Sequence, residues 1–464
     1  GDVISVGVKR NGNSLKLKVT LEKNENIEFY GMQLKNMSKS ELAKLELKNG
    51  VKVLNHRNNT LFRMGISPGY VLTEINGEVS QGYEAVAEAF SNNFQQFEEL
   101  GAAFCLYVEG ESVVDIWGGV ADVNSGRPWE RDTLQLHFST TKGLAAICAA
   151  MLYERGELDY EKAVSHYWPE FANGGKEEIT VAQCMNHQAG LASVDAELTL
   201  DDICEKEPVL RALEAQVPLW EPGSRNGYHA LTYGWIVGEI IKRIDGRPIG
   251  KFFDEEVVKP LGVDSFIGLP ESQEHRVAPI VEASAVDDPM IQELVDSIIG
   301  TGTLGWRALT MDGAMLKGDA YDPFNPNALD IFNSRQVHAA EIPAAGGISE
   351  ARALARIYAA CVGEVDGVRL INDETVMKTK EESSRGPDLV LVVDSGWGMG
   401  FMRSLEASPM LTEESFGHSG AGGSLAFGDL DNQVGFGYVM NQMGTSVMGD
   451  PRTGSLITAI RSCL

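Results

Sequence analysis

The chain has 464 residues, of which 43% are hydrophobic and 23% are charged. This composition is typical of a soluble globular protein, and the length predicts more than one domain. The formal net charge of −27 argues against nucleic acid or an anionic membrane as a partner, because both carry the same sign of charge.

Targeting signals and cysteine pairs are missing from the sequence pattern. No run of 18 apolar residues predicts a membrane span, and residue 1 is not followed by a basic and then apolar leader. The six cysteines are scattered without a C-x-x-C pair, which predicts neither a disulfide framework nor a zinc site. This usage favours a reducing compartment, and we expect a cytoplasmic protein unless a leader has been removed from the sequence.

The first 80 residues differ in charge from the rest, since they hold 12 Lys/Arg and only 8 Asp/Glu. Residues 3–22 alternate apolar and polar side chains around Asn11-Gly12, a pattern typical of a β-hairpin. A Lys/Glu-rich helix is predicted at 38–48 and a short strand at 51–55. We therefore expect a small β-rich module over residues 1–81, followed by a second domain over 82–464.

Two motifs in this module resemble PDZ domains of the kind attached to bacterial trypsin-like proteases. Tyr30-Gly31-Met32 is similar to their carboxylate-binding loop, and residues 65–76 are similar to their core, with Asn76-Gly77 as a turn. The resemblance implies that backbone N–H groups bind the C-terminal carboxylate of a peptide. The closing strands do not follow the predicted helix at 82–94, so the module is partial or permuted. It is either a peptide-binding module or a β-rich spacer.

The second domain begins and ends with predicted strands. Residues 101–122 form a hairpin that turns at Glu109-Gly110, and strands recur at 395–401 and 423–441 before a terminal helix. The sequence between these strands is mainly helical in pattern. We expect one antiparallel sheet built from both ends of the domain, with helices against it and an inserted helical domain, in the α/β (α+β) class.

Ser139 and Lys142 lie at the start of a predicted helix. The apolar positions after Lys142 follow helical spacing, so the two side chains are one turn apart on the same face. A serine hydroxyl needs a base before it can act as a nucleophile, and a lysine with a lowered pKa can supply one. S-x-x-K alone is a weak signal, because a helix-capping serine beside an exposed lysine gives the same letters.

Two later segments strengthen this hypothesis. Tyr228 lies in a Gly-rich loop before an amphipathic helix, and His418-Ser419-Gly420 begins a predicted strand. In this order the three motifs resemble those of serine β-lactamases and penicillin-binding proteins, and most closely the class C β-lactamase-like carboxylesterases called family VIII. Further similar segments are Trp117-Gly118-Gly119 and residues 167–171, 187–191, 218–223 and 343–347.

This resemblance implies a role for each motif residue. Ser139 would form the acyl-enzyme. Lys142 would either deprotonate the Ser139 hydroxyl or hold Tyr228 as a phenolate. Tyr228 would pass a proton to the leaving group and then activate water. The backbone N–H groups of Ser139 and Ala421 would form the oxyanion hole, and His418 would complete the site.

Departures from the motifs bear on the substrate. The second motif reads Tyr228-His229-Ala230, so Ala230 stands where β-lactamases have Asn in Y-x-N, and His418 replaces their Lys. A histidine is mostly neutral at pH 7, so it would bind the carboxylate of a β-lactam or a peptide terminus more weakly than a lysine does. We expect His229, Ser419 and Gly420 to contact a neutral, short-chain ester.

The remaining sequence predicts no metal, nucleotide or other cofactor, since it has no metalloprotease, phosphate-loop or dinucleotide motif. His166 and His187 are expected to be packing or loop residues. Residues 283–340 would either cover the acyl pocket or form a peripheral insertion; their large side chains include Trp306, Met311, Met315, Tyr321 and Phe324.

Three functions are therefore open. The first is hydrolysis of short-chain carboxylic esters without a cofactor. The second is a weak β-lactamase or D-amino-acid peptidase, which would share the same nucleophile. The third is a scaffold with an inert hydrolase fold, whose N-terminal module binds peptide tails.

Overall fold

The computed structural model describes residues 76–97, 99–283, 293, 297–316, 330–445 and 449–464 in full. Between residues 2 and 72 it describes only the backbone of the strands. Within these described residues, no helix is both long enough and apolar enough to cross a bilayer.

The N-terminal strands form two small antiparallel sheets. The first pairs β1 (Asp2–Arg10) with β2 (Asn13–Leu21), which confirms the predicted hairpin. The second has the order β3-β4-β5-β6, and its strands are Ile27–Phe29, Met32–Asn36, Val51–His56 and Val71–Leu72. The predicted helix at 38–48 and the Tyr30-Gly31 part of the predicted carboxylate loop lie outside the described residues, and Met32 is the first residue of β4.

The second domain is built on a large antiparallel sheet. Its strands are β7 (Asn76–Val79), β8 (Gly101–Val108), β9 (Glu111–Asp122), β10 (Arg127–Pro128), β14 (Ser384–Pro387), β15 (Asp394–Trp397), β16 (Met402–Arg403), β17 (Phe416–Ser419), β18 (Leu425–Asp429) and β19 (Val434–Met440). The order is β10-β9-β8-β19-β18-β17-β16-β15-β14, with β7 also paired to β9. A sheet built from both ends of the domain was predicted and is confirmed.

A second, smaller sheet and a set of helices complete the described part of this domain. The small sheet has the order β11-β13-β12, with strands Gln135–Leu136, Gly347–Ser349 and Ser265–Ile267. The helices are α1 (Glu84–Gln96), α2 (Thr140–Glu154), α3 (Val181–Met185), α4 (Leu200–Glu205), α5 (Glu207–Ala215), α6 (Thr232–Asp245), α7 (Ile249–Phe253), α8 (Lys259–Leu261), α9 (Leu304–Thr310), α10 (Arg335–Ala339), α11 (Ala351–Val362), α12 (Asp373–Lys380) and α13 (Pro451–Arg461). Short 3₁₀ turns cover Val164–His166, Pro169–Ala172, Glu271–Arg276, Asp330–Asn333 and Ala421–Gly423, and a π-helical turn covers Asp254–Val258.

Helix α2 is the centre of the core. Every residue from Thr140 to Leu152 is buried, although the sequence pattern predicted one apolar face. The helix packs against α6 on one side and against β17 and β18 on the other. A helix buried all round needs small and apolar side chains on every face, which its Ala-rich sequence supplies.

The strand β7 corrects the predicted end of the N-terminal module. Asn76-Gly77 was predicted as a turn of that module, but Asn76–Val79 pairs with β9 from Trp117 back to Val114. A Cβ atom on Gly77 would lie 2.4 Å from the carbonyl oxygen of Asp115, so glycine is needed here for close strand approach. The predicted turn is therefore wrong, and residues 76–79 belong to the large sheet.

Candidate active site

Ser139 stands at the N-terminal end of α2 and is reached from outside. From Thr133 to Leu152 it is the single residue that is not buried. The preceding residue, Phe138, has a φ of +44°, which is rare for a large side chain and makes a sharp turn into the helix. The backbone therefore presents the Ser139 hydroxyl at the surface of an otherwise closed core.

Lys142 has three hydrogen-bond partners. Its Nζ atom lies 3.0 Å from Ser139 Oγ, 2.6 Å from the carbonyl oxygen of Ala230 and 3.0 Å from that of Ala344. Burial holds the pKa of Lys142 well below its usual value. In the neutral amine, the two N–H bonds serve the two carbonyl groups, and the lone pair is left facing the Ser139 hydroxyl.

Tyr228 meets the same hydroxyl from the loop before α6. Its phenol hydrogen-bonds with Ser139, and the Lys142 Nζ atom lies 4.7 Å from the centre of its ring. Burial raises the pKa of Tyr228, so the resting side chain is a neutral phenol. The structure thus brings together Ser139, Lys142 and Tyr228, which the sequence separates by up to 89 positions.

The third motif lies beside the nucleophile because Ser424 holds it there. Ser424 Oγ donates to the carbonyl oxygen of His137 (2.9 Å) and lies 3.1 Å from Thr140 Oγ1, while Gly420 N donates to the carbonyl oxygen of Ser424 (2.7 Å). A Cβ atom on Gly420 would lie 2.2 Å from the His137 carbonyl oxygen. Glycine is required for this approach.

Ala421 follows directly and is partly exposed between two buried glycines. Within the described residues, neither its backbone N–H nor that of Ser139 donates to another protein group. Two free N–H groups on adjoining loops, next to an accessible hydroxyl, are what an oxyanion hole requires.

His418 is a neutral acceptor. Its Nδ1 atom donates to the carbonyl oxygen of Ser419 at 2.6 Å, which leaves the lone pair on Nε2. Nε2 is buried and has no partner within the described residues. Burial is the main cause that lowers the pKa of His418 to about 3. The ring centres of His418 and Tyr228 are 6.1 Å apart.

The structure places this motif at the end of a strand. His418 and Ser419 are the last two residues of β17, whereas a strand start was predicted. The Ser419 hydroxyl donates to Met402 Sδ at 3.6 Å, so within the described chain its side chain is turned toward the sheet.

His229 does not fit the predicted role in substrate binding. Its Nδ1 atom donates to the carbonyl oxygen of Gly227 at 2.7 Å, and its Nε2 atom accepts from Leu191 N at 2.9 Å. Both ring nitrogens are used inside the fold, and the side chain is fully buried. His229 instead ties the Tyr228 loop to the loop after α3.

A family model described as Beta-lactamase matches residues 90–457. The chain belongs to the beta-lactamase family. It is 33% identical over 377 residues to the esterase/beta-lactamase LipL of Mycobacterium tuberculosis, covering 79% of this chain and 83% of that protein. The crystal structure of a family VIII carboxylesterase matches with a TM-score of 0.73 and 36% identity, over 84% of this chain and 100% of that one. A penicillin-binding protein homologue from Caulobacter crescentus matches with a TM-score of 0.72 and 38% identity, over 84% and 100% of the two chains.

These matches confirm the predicted beta-lactamase-like fold. The family match starts at residue 90, so the resemblance of the first residues to PDZ domains stays a prediction. Within the part of the chain that the structure describes, no group of three or more Cys, His, Asp and Glu side chains is placed to hold a metal ion.

His187 is buried, as expected of the packing residue that was predicted, and it packs beside Tyr228 of the candidate site. Its ring centre lies 4.9 Å from that of Tyr228 and 4.3 Å from that of Trp397. Nδ1 accepts from His229 N at 3.1 Å, so Nε2 carries the proton. Burial holds the pKa of His187 well below its usual value. The segment 187–191 was noted as family-like, and this was the one available signal.

Trp397 and Asp388 were missed. The Trp397 ring stacks on Tyr228, with centres 5.5 Å apart and planes 11° apart, and it lies 5.5 Å from His418. Asp388 Oδ1 accepts from Tyr228 N at 3.0 Å. In the sequence Asp388 directly precedes the apolar run 389–393, and no spacing connects it with Tyr228.

The segment 283–340 supplies core residues where it is described. Trp306, Met311 and Met315 are buried, and the two methionines pack in the main hydrophobic core. Tyr321 and Phe324 lie outside the described residues. In the described part these side chains belong to the core, and the choice between a cover for the acyl pocket and a peripheral insertion stays a prediction.

Proposed function

We propose that this member of the beta-lactamase family hydrolyses short-chain carboxylic esters through an acyl-enzyme on Ser139. The observation that carries the proposal is the environment of Lys142. Two carbonyl groups take its N–H bonds and burial lowers its pKa, so a free lone pair faces the nucleophile at 3.0 Å. This arrangement suits a general base for Ser139.

In the acylation step, Ser139 Oγ attacks the ester carbonyl carbon and Lys142 takes the hydroxyl proton. The Ser139 and Ala421 N–H groups stabilise the oxyanion. Tyr228 gives its phenolic proton to the leaving alkoxide as the C–O bond breaks, and it regains a proton from the Lys142 ammonium. Water then attacks the acyl carbon and gives a proton to the Tyr228 oxygen, while the phenolic proton of Tyr228 moves to Lys142. The Lys142 ammonium then protonates Ser139 Oγ as its bond to the acyl carbon breaks, which releases the carboxylic acid and restores the neutral amine.

The raised pKa of Tyr228 favours one of the two roles that the family resemblance left open for Lys142. A resting phenolate would be a buried anion, and burial opposes this charge. Deprotonation of Ser139 by Lys142, with Tyr228 as a neutral proton carrier, is therefore the better-supported mechanism.

The substrate preference follows from His418. With its pKa lowered to about 3, His418 is uncharged at neutral pH and offers a lone pair where a cation would grip a carboxylate. Two relatives bear the names esterase/beta-lactamase and family VIII carboxylesterase. The neutral His418 and the name carboxylesterase favour a neutral ester over a lactam or a D-amino-acid peptide, which carry a carboxylate near the reacting bond, whereas the name esterase/beta-lactamase covers both reactions.

The division of the chain also stays a proposal. We assign residues 1–75 to a β-rich N-terminal module and Asn76 onward to the hydrolase, because β7 pairs with β9. Binding of a peptide C-terminus at Tyr30-Gly31-Met32 is the finer prediction. A fluorescent peptide library with free C-termini tests it, and absence of binding to the full chain would reject it.

The central experiment compares the wild type with Ser139→Ala on p-nitrophenyl acetate and butyrate. The wild type is expected to show a burst of nitrophenol and a mass increase of one acyl group on the Ser139 peptide. The variant should show neither. Ser165→Ala is the matched control, because Ser165 is away from the site and donates to the carbonyl oxygen of Glu177. Equal activity of Ser139→Ala and the wild type would refute the assignment.

A further inference from the structure

Asp388 is a buried carboxylate that has no basic partner among the described residues. It follows β14, and its side chain accepts four hydrogen bonds. Oδ1 accepts from the backbone N–H groups of Tyr228 (3.0 Å), Val390 (2.9 Å) and Leu391 (3.0 Å). Among the described residues, no Lys, Arg or His side chain forms an ion pair with it. Four donors satisfy a buried charge, which would otherwise be costly.

The second oxygen of Asp388 reaches the aromatic ring beside Tyr228. Oδ2 accepts from Ser395 Oγ at 3.1 Å, and Ser395 Oγ accepts from Trp397 Nε1 at 3.0 Å. Trp397 in turn stacks nearly parallel on the Tyr228 ring. Ser395 and Trp397 are fully buried, so water does not compete for these bonds.

We propose that Asp388 is a positioning residue that fixes Tyr228 at two points, its backbone N–H and its ring. This inference rests on the proposed proton-transfer role of Tyr228. One oxygen holds the backbone from which the phenol extends, and the other holds Trp397 through Ser395, so that the ring plane is fixed as well. A proton carrier must keep its oxygen within hydrogen-bond reach of two partners, and both contacts restrict its motion.

A simple loop cap does not account for all of these bonds. An Asp at the start of a tight turn commonly accepts from N–H groups two and three residues later, as Val390 and Leu391 show. This turn geometry does not explain the hydrogen bond from the backbone N–H of Tyr228, which is 160 residues away, or the hydrogen bond from Ser395 Oγ. These two bonds are the ones that lead to the catalytic phenol.

The charge of Asp388 has a second effect on the same phenol. The carboxylate adds to burial in raising the pKa of Tyr228, because a phenolate beside it would be repelled. Asp388→Asn keeps nearly the same shape but removes this charge. The amide also cannot accept from Ser395 where its NH₂ group faces the hydroxyl, so that link must rearrange.

The test uses leaving groups of different acidity. Nitrophenolate leaves without a proton, whereas an alkyl alkoxide needs one from Tyr228. Asp388→Asn is expected to lower kcat/KM by about 10-fold or more on ethyl butyrate but by about 3-fold or less on p-nitrophenyl butyrate, since general acid catalysis serves only the former. The alkaline limb of the pH profile should move to lower pH, because the phenol loses the opposing charge.

Asp429→Asn is the matched control. Asp429 is also a buried carboxylate held by hydroxyl and N–H donors, from Thr412, Ser415 and Asn432, but it lies at the far end of β18. Its loss should change both esters alike and leave the pH limb in place. The same pattern in Asp388→Asn would reduce Asp388 to a structural role and overturn the proposal.

Two further variants keep the test decisive if Asp388→Asn fails to fold. Ser395→Ala breaks only the link to Trp397, and Trp397→Phe keeps a ring but removes its N–H donor. Each should lower kcat/KM more on ethyl butyrate than on p-nitrophenyl butyrate, but by a smaller margin than Asp388→Asn. If both variants keep the wild-type ratio of activities on the two esters, the role of the ring contact is overturned. Acylation of wild-type Ser139 is followed by mass spectrometry in parallel; if it is absent, the proposed function fails instead.

Discussion

The two halves of the candidate site differ in how completely the protein satisfies their polar atoms. The seryl half, defined here as Ser139, Lys142 and the two carbonyl groups that Lys142 meets, has a partner for each N–H bond of the lysine. The aromatic half comprises Tyr228, His187, Trp397 and His418. There, Nε2 of both histidines is buried and lacks a partner within the described residues.

This difference suggests that the seryl half is arranged to activate Ser139, whereas the aromatic half has polar atoms left over for other contacts. In the seryl half the base is preorganised, because Lys142 is already buried, its pKa is lowered, and its Nζ atom lies within hydrogen-bond distance of Ser139 Oγ. The aromatic half retains an acceptor at His418 and a donor at His187 that have no partner within the described residues. We therefore expect the first half to set the reactivity of Ser139, and the second half to serve proton transfer through Tyr228 and substrate choice through His418.

The largest expected effect is loss of the base. Lys142→Met should lower kcat/KM for p-nitrophenyl butyrate by about 10³-fold or more, because Ser139 then has no proton acceptor. Lys176→Met is the matched control, since Lys176 is also buried and donates to three carbonyl oxygens, those of Asn173, Glu214 and Gln216. The control should unfold more easily but keep its activity when folded. Substantial activity in Lys142→Met would break the comparison.

A smaller loss is expected from the oxyanion loop. Gly420→Ala would place a methyl group against the His137 carbonyl oxygen and displace Ala421, which should lower kcat by about 10²-fold with little change in KM. Gly454→Ala is the control, because a Cβ atom there has open space in α13 and alanine favours the helix. Unchanged kcat in Gly420→Ala would show that the oxyanion is bound elsewhere.

The smallest effect concerns stability and pH in the aromatic half. His418 has a folded pKa of about 3, and a histidine in the unfolded chain titrates near about 6.5, so the stability it leaves intact above pH 6.5 is lost as pH falls toward 3. His418→Gln removes this penalty. Between pH 8 and pH 5, urea unfolding should shift in favour of the variant by about 2 kcal/mol relative to wild type. A constant difference would show that His418 titrates normally in the folded protein.

The sequence predicted two kinds of feature: short-range spacing within one helix, and motifs that are shared with a known family. Ser139 and Lys142 lie one helical turn apart, and this distance follows from spacing alone. The order of the three motifs supplied Tyr228 and His418. The two-sheet N-terminal segment was predicted in part, through the hairpin and the strand at Val51–His56.

Long-range bonds set the limit of such prediction. Asp388 meets Tyr228 across 160 residues, and no periodic pattern records this contact. His229 was assigned to the substrate because it follows Tyr228, but its two partners are backbone atoms of Gly227 and Leu191. Asn76-Gly77 has a sequence typical of a turn, but these residues form a strand because they pair with β9.

The pairing of β7 with β9 has a practical consequence for any shortened form of the protein. A chain cut at residue 82 would leave the backbone N–H and C=O groups of Val114–Trp117 bare along one side of β9. A naked strand edge is a template for sheet-to-sheet aggregation between molecules. A chain that starts at Asn76 keeps this edge covered, so four residues decide whether an isolated hydrolase domain stays dispersed in solution.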